Sequence, residues 1–229
     1  MNIFLLFAAV ILSFTAVIVA FRLGHLYLFA YLSAYIGFAF SGLIFFVDFF
    51  GYPLAFMEIA YGVWFLTTDI LSEHYGPKKA RQLVFATTFL LFIFFCLSQL
   101  IIHLVPHTSD TAFVHLIPLF QPLTRIIGAG IVVFLLEQLI DIWIFHTIHK
   151  HTGGKKLWLR NCTSTLTVQL FDVLVFYPLA FAGIVPDLWK LMVAAYAFKA
   201  CVAFLDTPFI YLSYRMRPAE LTLAVPTRA

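Results

Sequence analysis

An all-α transmembrane bundle of about seven spans, with six as the alternative, is the fold class that three observations predict. Of 229 residues, 63% are hydrophobic and only 11% are charged, with a mean hydropathy of +0.99. A soluble domain could not carry that much apolar surface in water. Apolar runs of about 20 residues recur along the chain, and a helix of that length crosses a hydrocarbon core of roughly 30 Å. Basic residues also collect after alternate runs. Helices satisfy every backbone polar group within one segment, so they are the spanning structure that such runs adopt in lipid.

The first span covers 2–21. It has no basic n-region, and Arg22, Leu23 and Gly24 are not a small-residue cleavage site, so it reads as a span and not as a leader. Spans 26–47, 54–71 and 83–105 follow. Within 106–122, the apolar run 111–122 is too short to cross and is broken by Pro118, which predicts an interfacial or re-entrant piece. Spans 126–145, 166–185 and 188–212 complete the set, with Gly153 and Gly154 turning the chain before the sixth. Nothing divides 1–229 into more than a single integral membrane domain.

Charge orients this bundle, because short cytoplasmic loops are rich in Lys and Arg. Eleven of the 14 basic residues (Arg22, Lys78, Lys79, Arg81, Lys150, Lys155, Lys156, Arg160, Arg215, Arg217 and Arg228) fall on one side. The expectation is an inner-membrane protein with its N-terminus outside and its C-terminus in the cytoplasm. Cys96, Cys162 and Cys201 are dispersed and suggest neither a disulfide framework nor a metal site. His146, His149 and His151 sit in a basic loop where no carboxylate or thiolate completes a ligand set. No metal and no cofactor are expected.

The chemistry lies in polar residues that hydropathy cannot explain. Six carboxylates (Glu58, Asp69, Glu137, Asp141, Asp172 and Asp206) fall within the spans against one ammonium, Lys199. Charge inside a bilayer usually faces a wet cavity and marks a pathway or binding site. Six anions cannot remain ionised and unpaired there, so some are protonated, paired or presented to a ligand. Helical spacing puts Glu137 and Asp141 on one face and Gln169 and Asp172 on another. Depth along the spans predicts Glu58, Glu137 and Lys199 around the midplane, and Asp69, Asp141, Asp172 and Asp206 nearer the cytosol. Arg160, just before the sixth span, is the expected partner of that second tier, and Lys199 of Glu137 or Glu58. Neither a nucleophile paired with a base nor a cofactor fingerprint accompanies them, so an enzyme is not expected. Nor is a nucleic-acid partner.

Three stretches also resemble a known family. Thr68, Asp69, Ile70, Glu73, Tyr75, Gly76, Ala80 and Arg81 follow the pattern TDI-x-x-E-x-YG-x-x-x-AR. Gln138, Asp141 and His146 precede Thr152 to Lys155, Leu157 to Asn161, Ser164, Thr165, Gln169 and Asp172. Lys199 precedes Leu205, Asp206, Thr207 and Pro208. From about Phe56 to Tyr211 the chain resembles the queuosine-precursor transporters, also called vitamin-uptake-transporter-type proteins. It departs from them at Val168 and Val173, where the family often has small hydroxyl residues; these positions bear on selectivity. The resemblance implies uptake of a purine-like 7-deazaguanine, with Glu58, Asp69, Glu137, Gln138, Asp141, Arg160, Asn161, Gln169, Asp172, Lys199 and Asp206 as the candidate substrate-binding set. A substrate-capture subunit of an energy-coupling-factor transporter is the alternative, since Ala16 and Ala20 form a small-residue pair that could dock a partner. An ATPase partner is not expected on the leading reading, and a homo-oligomer is compatible with it.

Overall fold

The computed structural model describes residues 2–41 and 45–223. Its helices are α1 (Asn2–Leu23), α2 (His25–Ser41), α3 (Glu58–Tyr75), α4 (Pro77–Ile101), α5 (Phe113–His151), α6 (Leu157–Phe181), α7 (Leu188–Ser213) and the short α8 (Ala219–Leu223). Between α2 and α3 lies an antiparallel hairpin, β1 (Phe46–Phe49) with β2 (Tyr52–Ala55). α1, α4, α6, α7 and the part of α5 from Thr124 are long and apolar enough to cross a membrane. α2 carries only a shorter apolar stretch, His25–Ala39. α3 holds Glu58, Asp69 and Glu73, yet 15 of its 18 residues are buried. Its polar groups therefore meet protein and not lipid, which is where intramembrane charge is tolerated.

α3 is the axis of the molecule, packed by α1, α2, α4, α5 and α7. α1 and α7 approach α3 closely at Gly62. A Cβ there would run into the Val202 side chain of α7 and come within 3.2 Å of the Phe14 ring of α1. α6 closes the bundle between α5 and α7. The ends differ in character. At one end gather Arg22, Lys78, Lys79, Arg81, Lys150 and Arg160, called here the basic end. At the other, the hairpin lies over α6 and α7 through Phe46 on Phe181, Phe49 on Phe198 and Tyr52 on Trp189. Arg125 also sits at that end and donates to the carbonyls of Leu179 at 2.7 Å and Ala182 at 2.8 Å, so a cation answers the unpaired carbonyls and negative dipole at the C-terminus of α6.

Four expectations are corrected. The second span does not run to Val47: α2 ends at Ser41 and residues 46–55 form the hairpin, whose Phe50–Gly51 turn has positive φ at both positions. A continuous apolar run cannot by itself distinguish a buried helix from a strand. The run 111–122 is not a separate segment broken by Pro118. From Phe113 onward it is the start of helix α5, which runs 39 residues, about 58 Å of rise, and whose first turns are largely exposed. α6 begins at Leu157, before the expected Leu166, because Arg160, Asn161, Ser164 and Thr165 are buried on its inward face and so resemble a polar loop only in sequence. The histidines at 146, 149 and 151 are not in a loop but on the last turns of α5. Ala16 and Ala20 line an open groove between α1 and α2. Arg228 lies outside the described residues.

Candidate functional site

All six predicted carboxylates and Lys199 are at most 2% exposed. They form two layers across α3, α5, α6 and α7. In the first, the Lys199 ammonium pairs with Asp172 and reaches Glu58 Oε2 at 3.2 Å. The Tyr177 hydroxyl donates to Glu58 Oε1. Lys199 Nζ also stands 4.1 Å from the Tyr61 ring centroid, over the negative face of the ring. Glu137 enters from α5 beside Asp172, Lys199 and Glu58, and no hydrogen-bond donor reaches either of its oxygens.

The second layer holds Asp69, Asp141 and Asp206 with Asn161. Asn161 Nδ2 donates to Asp206 Oδ1 at 2.6 Å and to Thr207 Oγ1 at 3.2 Å. Among the described residues, none of these three aspartates enters an ion pair. Eleven positions separate Glu58 from Asp69 on α3 and Asn161 from Asp172 on α6, about 16.5 Å of helical rise. The expected tiers are thus corrected at one residue: Asp172 belongs with Glu58, Glu137 and Lys199. The nine-residue error in where α6 begins had displaced its depth. Arg160 does not partner the second layer either.

Arg160 forms instead a third cluster at the basic end. Fully buried, its guanidinium pairs with Glu73 of α3, meets His149 Nδ1 of α5, and lies 4.9 Å from the Phe145 ring centroid. The Tyr214 hydroxyl donates to the other oxygen of Glu73. Burial, and then this bond to Glu73, push the Tyr214 phenol up to about 12. These contacts tie α3, α5, α6 and the end of α7 together. Beside them, Glu220 of α8 accepts from the His25 backbone N–H and ring Nδ1, each at 2.9 Å, and from the Tyr75 hydroxyl. Slight burial raises its pKa less than those bonds lower it, leaving it at about 2.

A narrow apolar cleft adjoins the first layer through Tyr61. Tyr61, Trp64, Phe134 and Phe176 are among its walls. Trp64 lies 4.9 Å from Phe134, centroid to centroid, and its buried Nε1 has no acceptor. Gln138 and Gln169 are buried close by in sequence to Glu137 and Asp172, with both amide atoms of Gln138 and Oε1 of Gln169 unpartnered. Buried polar atoms are normally satisfied by protein or water; Glu137 and Gln138 follow Phe134 of the cleft wall by three and four residues on α5, which puts unpartnered donors and acceptors one turn from aromatic faces that suit a flat ligand. The cleft aromatics did not emerge from the sequence among so many Phe and Tyr. One signal existed, since Tyr61 is three residues from Glu58 and shares its helical face.

The family described as putative vitamin uptake transporter matches residues 53–213. A "Probable queuosine precursor transporter" of Bacillus subtilis (strain 168) is 31% identical over 177 residues, covering 76% of this chain and 77% of that protein. No solved structure matches.

Proposed function

Because the chain belongs to the putative vitamin uptake transporter family, as a multi-pass membrane transporter, we propose that it imports a queuosine precursor, 7-cyano- or 7-aminomethyl-7-deazaguanine, into the cytoplasm. The observation that carries this reading is the Glu137 carboxylate, fully buried one helical turn from Phe134 of the cleft wall, with both oxygens unpartnered. A guanine-like edge offers its ring N1–H and exocyclic amine side by side, and one carboxylate accepts both. Gln138 and Gln169 supply amide groups for the remaining carbonyl and amine, and Tyr61, Trp64 and Phe134 supply faces for stacking. Glu58, Asp172 and Lys199 hold the layer in place around the base. The relative's name supports the same cargo. The chain is not read as an enzyme.

Three carboxylates against one ammonium leave this layer net acidic. The cationic aminomethyl base is therefore favoured over the neutral cyano base, which competition between the two would reveal. The principal test is queuosine content in the tRNA of cells that neither make nor import its precursors, supplied with each base and expressing the parent or Glu137→Gln. The parent restores queuosine and the variant, inserted to the same level, does not. A parent that is inserted and restores nothing contradicts the assignment of cargo.

A further inference from the structure

The second layer contains acceptors in excess and almost no donors. Asp69, Asp141 and Asp206 are at most 1% exposed, and five of their six oxygens receive no hydrogen bond. The neutral groups around them add to the surplus. Asn161 spends its amide N–H groups on Asp206 and Thr207 and leaves Oδ1 unpartnered, and the buried Thr165 hydroxyl has no partner. The groups facing these carboxylates are Asp69, with Glu73 beyond it, from α3; Asp141 from α5; Asn161 and Ser164 from α6; and Asp206 and Thr207 from α7. No cation is among them. Lys199 is held by Asp172 and Glu58, and Arg160 by Glu73. Asp69 and Asp141 stand close enough to share a hydrogen, and two carboxylates in such contact need a proton between them.

The geometry points to a proton-coupling site at Asp69, Asp141 and Asp206, separate from the base-binding layer at Lys199. The inference rests on the transport reading above and adds the ion that drives it. The Lys199 layer differs in that a resident ammonium pairs with Asp172 and reaches Glu58. The Asp69 layer holds no such resident charge. Asp69 also sits one turn from Glu73 on α3, so the Arg160 cluster lies between it and the basic end. With that cluster closed, the proton is kept from the cytoplasmic side; when it parts, the proton leaves by the same route as the base. Coupling then requires that the Asp69 pair and the Arg160 cluster respond to the same movement of α3.

Two measurements test this, and one needs no substrate. Infrared difference spectra of the purified protein report the carbonyl band of a buried protonated carboxyl. The band is present at neutral pH in the parent and is lost or shifted in Asp69→Asn and in Asp141→Asn; an identical band in parent and both variants overturns the assignment. In vesicles with the membrane potential held at zero, an outside pH one unit below the inside drives about a tenfold accumulation of labelled base per proton carried. Asp69→Asn abolishes that accumulation while keeping base-for-base exchange, a split that a misfolded variant cannot produce. Accumulation that follows a sodium gradient and ignores pH overturns the proposal. Failure of the parent to exchange either base would contradict the cargo, and the infrared band would still decide on the proton.

Discussion

The Lys199 and Asp69 layers are built from the same side chain, the buried carboxylate, and lie on the same four helices. They differ in what answers it. In the Lys199 layer, an ammonium backed by an aromatic face pairs with Asp172 and Glu58, and a tyrosine hydroxyl donates to Glu58. In the Asp69 layer, one asparagine amide donates to Asp206. Removing the partner of a buried charge leaves that charge uncompensated, whereas replacing a buried carboxyl that has no ionic partner strands no opposite charge. The first layer is thus a fixed structure with one open acid, Glu137. The second is free to change protonation, because among the described residues no ion pair depends on its charge. One chain can in this way keep a binding site rigid and a coupling site switchable within the same bundle.

Removing the cation should give the largest effect. Lys199→Met strands Asp172 and Glu58 and is expected to cost about 3–5 kcal/mol, read as a fall in the unfolding temperature in detergent. Adding Asp172→Asn should recover part of the loss, and a single variant as stable as the parent would dissolve the distinction between the layers. In contrast, Asp69→Asn deletes no ion pair and is expected to change stability by no more than about 1 kcal/mol in either direction; a loss as large as that of Lys199→Met would show that the Asp69 layer is structural after all. The smallest effect should come from the clasp at the basic end, where Glu220 is held at about 2 against an ordinary 4.5. A depressed acid contributes fully above pH 4.5 and loses that contribution as pH falls through about 2. Glu220 is largely exposed, so screening keeps the effect below about 1 kcal/mol. Glu220→Gln should remove this acid dependence from the melting curve and lower the neutral-pH value by no more than that contribution.

What could be read from the sequence follows from what hydropathy measures, which is contact with lipid. Spans that face lipid, such as α1 and α4, stand out as apolar runs and lie close to where the sequence predicts them. The helical character, the buried carboxylates and the face shared by Glu137 and Asp141 were open to the same reading. Elements facing protein were not. The first turns of α6 carry Arg160, Asn161, Ser164 and Thr165 inward, so they resemble a loop, and that shift moved Asp172 into the wrong layer. The hairpin was hidden because Phe46 and Val47 extend an apolar run that begins in α2. Arg160 was recognised as a partner for buried acids, but its choice of Glu73 depends on helix packing that spacing along one chain does not encode.

Equilibrium binding of the two deazaguanines to the purified protein tests the central claim most directly, with Glu137→Gln and Glu220→Gln measured beside the parent. The account predicts saturable binding to the parent and to Glu220→Gln, the aminomethyl base the tighter of the two, and at least a tenfold weaker affinity for Glu137→Gln, about 1.4 kcal/mol. A parent that binds neither base, or a Glu137→Gln variant that binds as the parent does, would contradict it.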